Sequence, residues 1–200
     1  MNSRSASTPL RLIIGISGAS GAIFGVRLLE RLREFAVETH LVISPWGART
    51  LEHETSYSLA DVRRLADVVH KPGDQGAIIS SGSFQTDGMI IAPCSVRTLA
   101  AITAGYGDDL LSRAADVVLK ERRRLVLLVR ESPLSEIHLE NMLRLARMGV
   151  VIIPPAPAFY NHPKSVEDIV DHIVTRTLDQ VGFHSAATPR WDGHIATRGR

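Results

Sequence analysis

Three glycines, Gly15, Gly18 and Gly21, stand between an apolar run and an amphipathic one in "IIGISGASGAIFGVRLLERL", residues 13–32. A turn that leads from a strand into a helix leaves the first helical N–H groups unpaired. It also aims the positive end of the helix dipole outward, so it binds anions. Ser17 and Ser20 offer hydroxyls as extra donors. The spacing departs from G-x-G-x-x-G, and the next apolar run, "THLVIS", lacks the terminal acidic residue that holds a ribose in dinucleotide sites. Ala22 and Ile23 follow Gly21 where a nucleoside-triphosphate loop needs Lys and Ser or Thr. A monophosphate suits the turn that remains.

The ends of the other apolar runs are polar in the same way. One closes in Ser44-Pro45, one in Pro93-Cys94-Ser95 with Thr98 a turn later, one in Arg130-Glu131, and one in Pro154-Pro155 leading to Phe159-Tyr160. Gathered at one edge of a sheet, they make a pocket with hydroxyl donors, a cation, a carboxylate and an aromatic ring. Arg113 and Lys120, seven apart, lie two turns apart on nearly one helix face; they read as a grip for a dianionic phosphate or as two solvated cations. Glu54 reads as an exposed carboxylate near a helix end, and Arg176 as a surface residue with a packed stem. Cys94 reads as a small buried side chain, because the sequence places no histidine beside it. The eight histidines show neither H-x-x-x-H nor H-E-x-x-H, so no metal centre is expected.

Positioning these groups requires a frame, and the chain supplies an alternating one. "LRLIIGI" precedes a helical pattern at 21–35, "THLVIS" one at 46–55, and "GMIIAP" one at 95–104; "RLVLLVR" precedes 135–148, and "GVVIIPP" precedes 165–181. Near-continuous apolar strands with helices between them predict a parallel sheet covered on both faces. The fold class is α/β: a single doubly wound, Rossmann-like or flavodoxin-like three-layer domain over residues 11–183. In the first helix Ile23, Val26, Leu29, Leu32 and Phe35 share a face. Ser135 is a capping residue for the fourth pattern, and Gly149 ends it. Residues 1–10 read as a disordered tail, and 184–200 as a polar C-terminal tail in which Trp191 stands out.

Composition narrows the function classes. The basic residues are scattered, the net charge is +2, and no aromatic-interleaved basic stripe occurs, so nucleic acid is not expected as a partner. A single cysteine precludes an internal disulfide and agrees with a reducing compartment. The first apolar run is broken by Gly15 and Gly18, too short for a membrane span or signal core, so the chain reads as cytoplasmic.

From about Leu12 to Trp191 the chain resembles the UbiX-type, or Pad1-like, flavin prenyltransferases. The resemblance rests on "GISGASGA", on the run from "SSGSFQTDGMIIAPCSVRTLAAITAGYGDDLL" through "SRAADVVLKERRRLVLLVRESPLSEIHLENML", and on "IIPPAPAFYNHPKSVEDIV". It implies transfer of a dimethylallyl group from dimethylallyl phosphate to N(5) and C(6) of reduced FMN, without a metal. The product, prenylated FMN, would serve a UbiD-type decarboxylase. By position, FMN contacts fall on Gly18, Ala19, Ser20, Ser44, Ser95, Val96, Arg97, Thr98 and Arg130. The prenyl-phosphate grip falls on Tyr160 and Arg176, assisted by Arg113 and Lys120. Catalytic roles fall on Ser20, Glu54, Lys120 and Glu131, and on Trp191, which would close over the prenyl group and bring the C-terminal tail over the site. The resemblance also implies a homo-oligomer, commonly a dodecamer, with Arg113 serving a neighbour's site.

One departure is Asp109, where the family often has Asn. Two other readings compete. An FMN-dependent decarboxylase of the related cysteine-decarboxylase fold typically carries Pro-Ala-Ser-Ala-Asn-Thr where this chain has "PCSVRT", and it uses a catalytic histidine. A non-catalytic FMN carrier would not require Arg113, Lys120, Tyr160 and Arg176.

Overall fold

The structure is a computed structural model that describes residues 9–184 and 193. Six strands, β1 (Leu10–Ile16), β2 (Val37–Ile43), β3 (Val68–His70), β4 (Gly88–Cys94), β5 (Arg124–Val129) and β6 (Val151–Ile152), form one sheet in the order β3-β2-β1-β4-β5-β6. All neighbouring strands pair in parallel. The chain winds outward one way from β1 and the other way from β4, so the switch point lies between them. There the crevice beyond the strand carboxyl ends is open to a ligand.

Alternation along each strand sends side chains to two cores. Leu12, Ile14 and Ile16 pack under α1 (Ala22–Leu32), α2 (Pro45–Glu54), α3 (Leu59–Arg63) and α7 (Val166–Asp179). Ile13, Met89 and Ile91 pack under α4 (Val96–Ala104), α5 (Leu110–Lys120) and α6 (Glu136–Arg147). Burial on both faces is why the strands read as continuous apolar runs.

The five expected strand–helix units are present, and the structure adds an edge strand. β3 has only three residues, none of them fully buried, so it leaves no periodic signal. It is docked by a distant pair: the Asp67 carboxylate accepts the Thr39 N–H and hydroxyl, both at 2.8 Å. α1 buries Val26, Leu29 and Leu32 as the pattern predicts, and ends at Leu32. Phe35 lies beyond the helix and meets Phe183 edge-on at 5.1 Å. β1 takes Leu10, a residue the sequence reading gave to the N-terminal tail. No helix among the described residues is long and apolar enough to cross a membrane.

Candidate active site

The glycine turn is held open by Gly21, whose φ of 97° lies in the left-handed region where a side chain is strained. Three residues earlier, a Cβ on Gly18 would stand 2.4 Å from the Cβ of Trp46, so only glycine lets the turn pack on α2. The amides that the turn exposes do not wait for an external anion. Glu54 Oε2 accepts the N–H of Gly21 at 2.7 Å and of Ala22 at 3.3 Å. The carboxylate thus takes the place at the α1 N-terminus that the sequence reading gave to a phosphate.

Burial pulls the Glu54 carboxyl upward. Hydrogen bonds from Ser20, Gly21 and Ala22, with the positive charge of Arg130, outweigh it and hold the group below its ordinary value. Ser17 is likewise no ligand donor. It is buried, its hydroxyl donates to Pro93 O at 2.8 Å, and its oxygen accepts the N–H of Ser95 at 2.7 Å. It clamps the glycine turn to the end of β4.

Beside this clamp lies a cavity of about 360 Å³ at the switch point. All nine residues that the resemblance assigns to FMN line it. Gly18, Ala19 and Ser20 come from the glycine turn and Ser44 from the end of β2; Ser95, Val96, Arg97 and Thr98 come from the start of α4, and Arg130 follows β5. Glu131 lines it too, its carboxylate accepting the N–H of Ser132 at 2.9 Å. Ser44 and Ser95 cap α2 and α4 by accepting the N–H groups of Gly47 and Thr98, which aims two further helix N-termini at the cavity. The Arg130 guanidinium has no hydrogen bond or ion pair with the described residues, which leaves it available for an anion.

Pro45, Trp46 and Asp109 also line the cavity, and sequence reasoning did not name them as contacts. Trp46 carried a signal, a large aromatic directly after the polar end of β2. Its ring, largely exposed, is covered by the Arg49 guanidinium at 4.9 Å. Asp109 caps α5 by accepting the Ser112 N–H at 2.8 Å and hydroxyl at 2.9 Å. Asn performs the same capping task, which explains why either residue fits here.

The expected phosphate grip does not assemble within one chain. Arg113 donates to Ser80 O at 3.3 Å and pairs with Asp116 at 2.9 Å on α5. Lys120, at the far end of α5, pairs with Glu121 at 2.5 Å and lines a separate groove of about 1320 Å³ with Asp87, Arg122 and Arg123. Tyr160 stands edge-on to His172 of α7 at 6.0 Å, and Arg176, a turn beyond His172, pairs with Asp179 at 2.8 Å. α5 and α7 cover opposite faces of the sheet, so the two halves of the grip sit on opposite faces. Trp191 lies outside the described residues.

Cys94 is fully buried, which pushes its thiol far above the ordinary range and leaves it unreactive. No group of His, Cys, Asp and Glu among the described residues forms a metal site.

A doubly wound parallel sheet whose switch point holds a polar, cationic cavity fronted by helix N-termini is the architecture of a nucleotide-type binding protein. Residues 1–178 match the family described as Flavoprotein. A probable UbiX-like flavin prenyltransferase of Streptomyces sp. (strain D7) is 63% identical over 94% of this chain and 95% of its own. A crystal structure of AnUbiX with FMN and dimethylallyl pyrophosphate superposes with a TM-score of 0.93 at 52% identity, covering 94% of this chain and all of that one. A dodecameric FMN-dependent UbiX-like decarboxylase from Escherichia coli O157:H7 gives 0.91 at 62% identity, covering 92% of this chain and all of that one. The chain belongs to the flavoprotein family, among its UbiX-like flavin prenyltransferases.

Proposed function

We infer that the protein transfers a dimethylallyl group from dimethylallyl phosphate to reduced FMN and releases prenylated FMN. The observation that carries this reading is the convergence of all nine expected flavin contacts on one cavity, in a chain so similar to AnUbiX with FMN and dimethylallyl pyrophosphate. The fit to FMN is chemical as well as positional. Ser44 and Ser95 present hydroxyls at two helix N-termini, and Arg130 supplies a cation for a phosphate.

When bound, reduced FMN supplies the electron-rich N(5) and C(6) that accept the allyl group. Breaking the donor's C–O bond leaves the bonding electron pair on the phosphate, so fixed cations there lower the barrier. Arg113, Lys120 and Arg176 suit that task, with Tyr160 as a hydroxyl donor. The proton released on ring closure goes to a carboxylate, with Glu54 and Glu131 as the candidates, or to the departing phosphate, and Ser20, bonded to Glu54, holds its carboxylate in place. Trp191, which lies outside the described residues, is the aromatic that the resemblance assigns to the prenyl group.

Because α5 and α7 present their cations on opposite faces, the complete grip needs more than one copy. We therefore take the working form to be a homo-oligomer, a dodecamer as in the Escherichia coli relative. A UbiD-type decarboxylase is the proposed recipient of the product. A cytoplasmic location is proposed on the unpaired thiol of Cys94.

The cysteine-decarboxylase reading needs a histidine at the flavin, and none of the described residues lining the cavity is one. The test is anaerobic incubation with reduced FMN and dimethylallyl phosphate, or the diphosphate, followed by mass analysis of the released flavin. A gain of one five-carbon unit is expected. Bound but unmodified flavin with both donors overturns the reading in favour of a carrier.

A further inference from the structure

α7 ends in an acidic residue, at the end of its dipole that opposes one. The last turn of a helix carries unpaired carbonyls and partial negative charge, which favours cations and disfavours a carboxylate. Arg176 in that turn obeys the rule, and Asp179, the final helical residue, breaks it. Burial adds to the cost, since the Asp179 side chain is only 6% exposed. A residue that opposes two local preferences at once marks a place where the chain gives up stability for position.

Both Asp179 oxygens are engaged. Oδ2 accepts from Nη1 of Arg176 at 2.8 Å, and Oδ1 accepts from Nδ1 of His184 at 2.9 Å. Its partners are far more open, with the Arg176 and His184 side chains 52% and 69% exposed. The nearly buried carboxylate is therefore the fixed end of the pair, and the long arginine is the end that would otherwise wander among rotamers. The bond uses Nη1 and leaves Nε and Nη2 of the fork to donate to an anion. The same helix steadies Tyr160: His172, one turn before Arg176, bonds through Nδ1 to Asn161 at 2.8 Å and meets the Tyr160 ring edge-on. Burial and the charge of Arg176 together hold the His172 imidazole below its ordinary value.

We propose that Asp179 is a positioning residue for prenyl transfer, holding the Arg176 guanidinium in the orientation that receives the phosphate of the allylic donor. The proposal rests on the reading of Arg176 as part of the phosphate grip and adds what aims it. Its physical basis is preorganisation. Ordering a long side chain at the moment of binding costs the ligand affinity, and a tether made on folding removes that cost. A pair with one exposed partner adds little to stability, so this bond acts on the site and not on the fold.

The test is Asp179→Asn in the full-length protein, followed by melting temperature, FMN affinity and the dependence of prenylation on dimethylallyl phosphate. The change removes a charge that the helix dipole opposes, so Tm should stay level or rise, and FMN should bind as before. KM for dimethylallyl phosphate should rise about two- to tenfold, with a smaller fall in kcat. On an Arg176→Ala background the same change should add nothing, because its effect passes through the guanidinium. A merely structural role predicts a lower Tm and an added defect in the double variant; that result overturns the proposal, as does an unchanged KM. Should the Asp179→Asn chain lose its fold, His184→Ala is the second probe: it frees Oδ1 from an exposed partner and should raise KM in the same direction, an unchanged KM again overturning the proposal. Calorimetric titration with dimethylallyl phosphate separates this inference from the reading beneath it. If the unaltered protein binds the donor without transferring its prenyl group, the prenylation reading fails, and the role of Asp179 is read as a two- to tenfold loss of donor affinity in Asp179→Asn. An unaltered protein that does not bind the donor overturns both.

Discussion

The Glu54 carboxylate accepts the N–H of Gly21 at 2.7 Å across 33 residues of sequence. This bond ties the end of α2 to the start of α1 and places a fixed negative charge where the α1 dipole is most positive. An anion in the cavity would then be left with the other helix N-termini and Arg130.

Glu54→Gln keeps an oxygen acceptor for Gly21 and Ala22 and removes the charge. The loss of the charge–dipole interaction is worth about 0.3–1 kcal/mol of stability at neutral pH. FMN affinity is expected to stay within a few-fold while prenylation slows by about tenfold or more; unchanged turnover would take Glu54 out of the mechanism. Because the folded carboxyl titrates below its unfolded value, its stabilising effect is fully present above roughly pH 4.3 and disappears as pH falls through the lower folded value. Melting curves from pH 6 down to pH 3 should therefore converge for the two proteins at the acid end.

Ser17→Ala removes the hydroxyl that bridges Pro93 O and the Ser95 N–H; Pro93 O keeps the Ser17 N–H at 3.2 Å, while the Ser95 N–H loses its partner. The cost is about 1–3 kcal/mol, or a fall in Tm of roughly 2–12 °C for a domain of this size. FMN affinity should fall with it, since Ser95 loses the anchor that sets its position. Calorimetry showing an unchanged Tm would mean that water replaces the hydroxyl.

Trp46 contributes an exposed ring to the wall of the cavity. Stacking of an aromatic on a flavin ring is worth about 0.5–1.5 kcal/mol, so Trp46→Leu should weaken FMN binding roughly two- to tenfold. Titration by flavin fluorescence should also show a brighter bound state, because the indole that quenches it is gone. Equal quenching in the variant would place the ring away from the flavin.

The strand–helix frame was legible because its signals are local: apolar runs for buried parallel strands, and Ser135 as a cap. The cavity was legible for a topological reason, since residues ending successive strands must meet at one edge. β3 was not, because three residues docked by the Asp67–Thr39 pair carry no period. The roles of Ser17 and Glu54 were also hidden. Each depends on a partner far away in sequence, Pro93 and Gly21, and nothing local distinguishes a clamping serine from a ligand donor.

The separation of the cations by the sheet leads to a complementation experiment. Arg113 lies on the α5 face, while Glu54 holds the glycine turn beside the cavity from the α2 side. If Arg113 serves the cavity of a neighbouring copy, an oligomer mixed from Arg113→Ala and Glu54→Gln chains contains some sites with an intact Glu54 and an intact Arg113 from different chains. Co-refolded or co-expressed mixtures should then regain a substantial fraction of the activity missing from either homogeneous variant, on the order of a quarter when assembly is random and one residue of each kind is needed per site. The gain should depend on subunit exchange, so mixing two preassembled variants without dissociation should give none. If both residues acted within one chain, every chain in the mixture would carry one defect, and activity would stay at the average of the two variants.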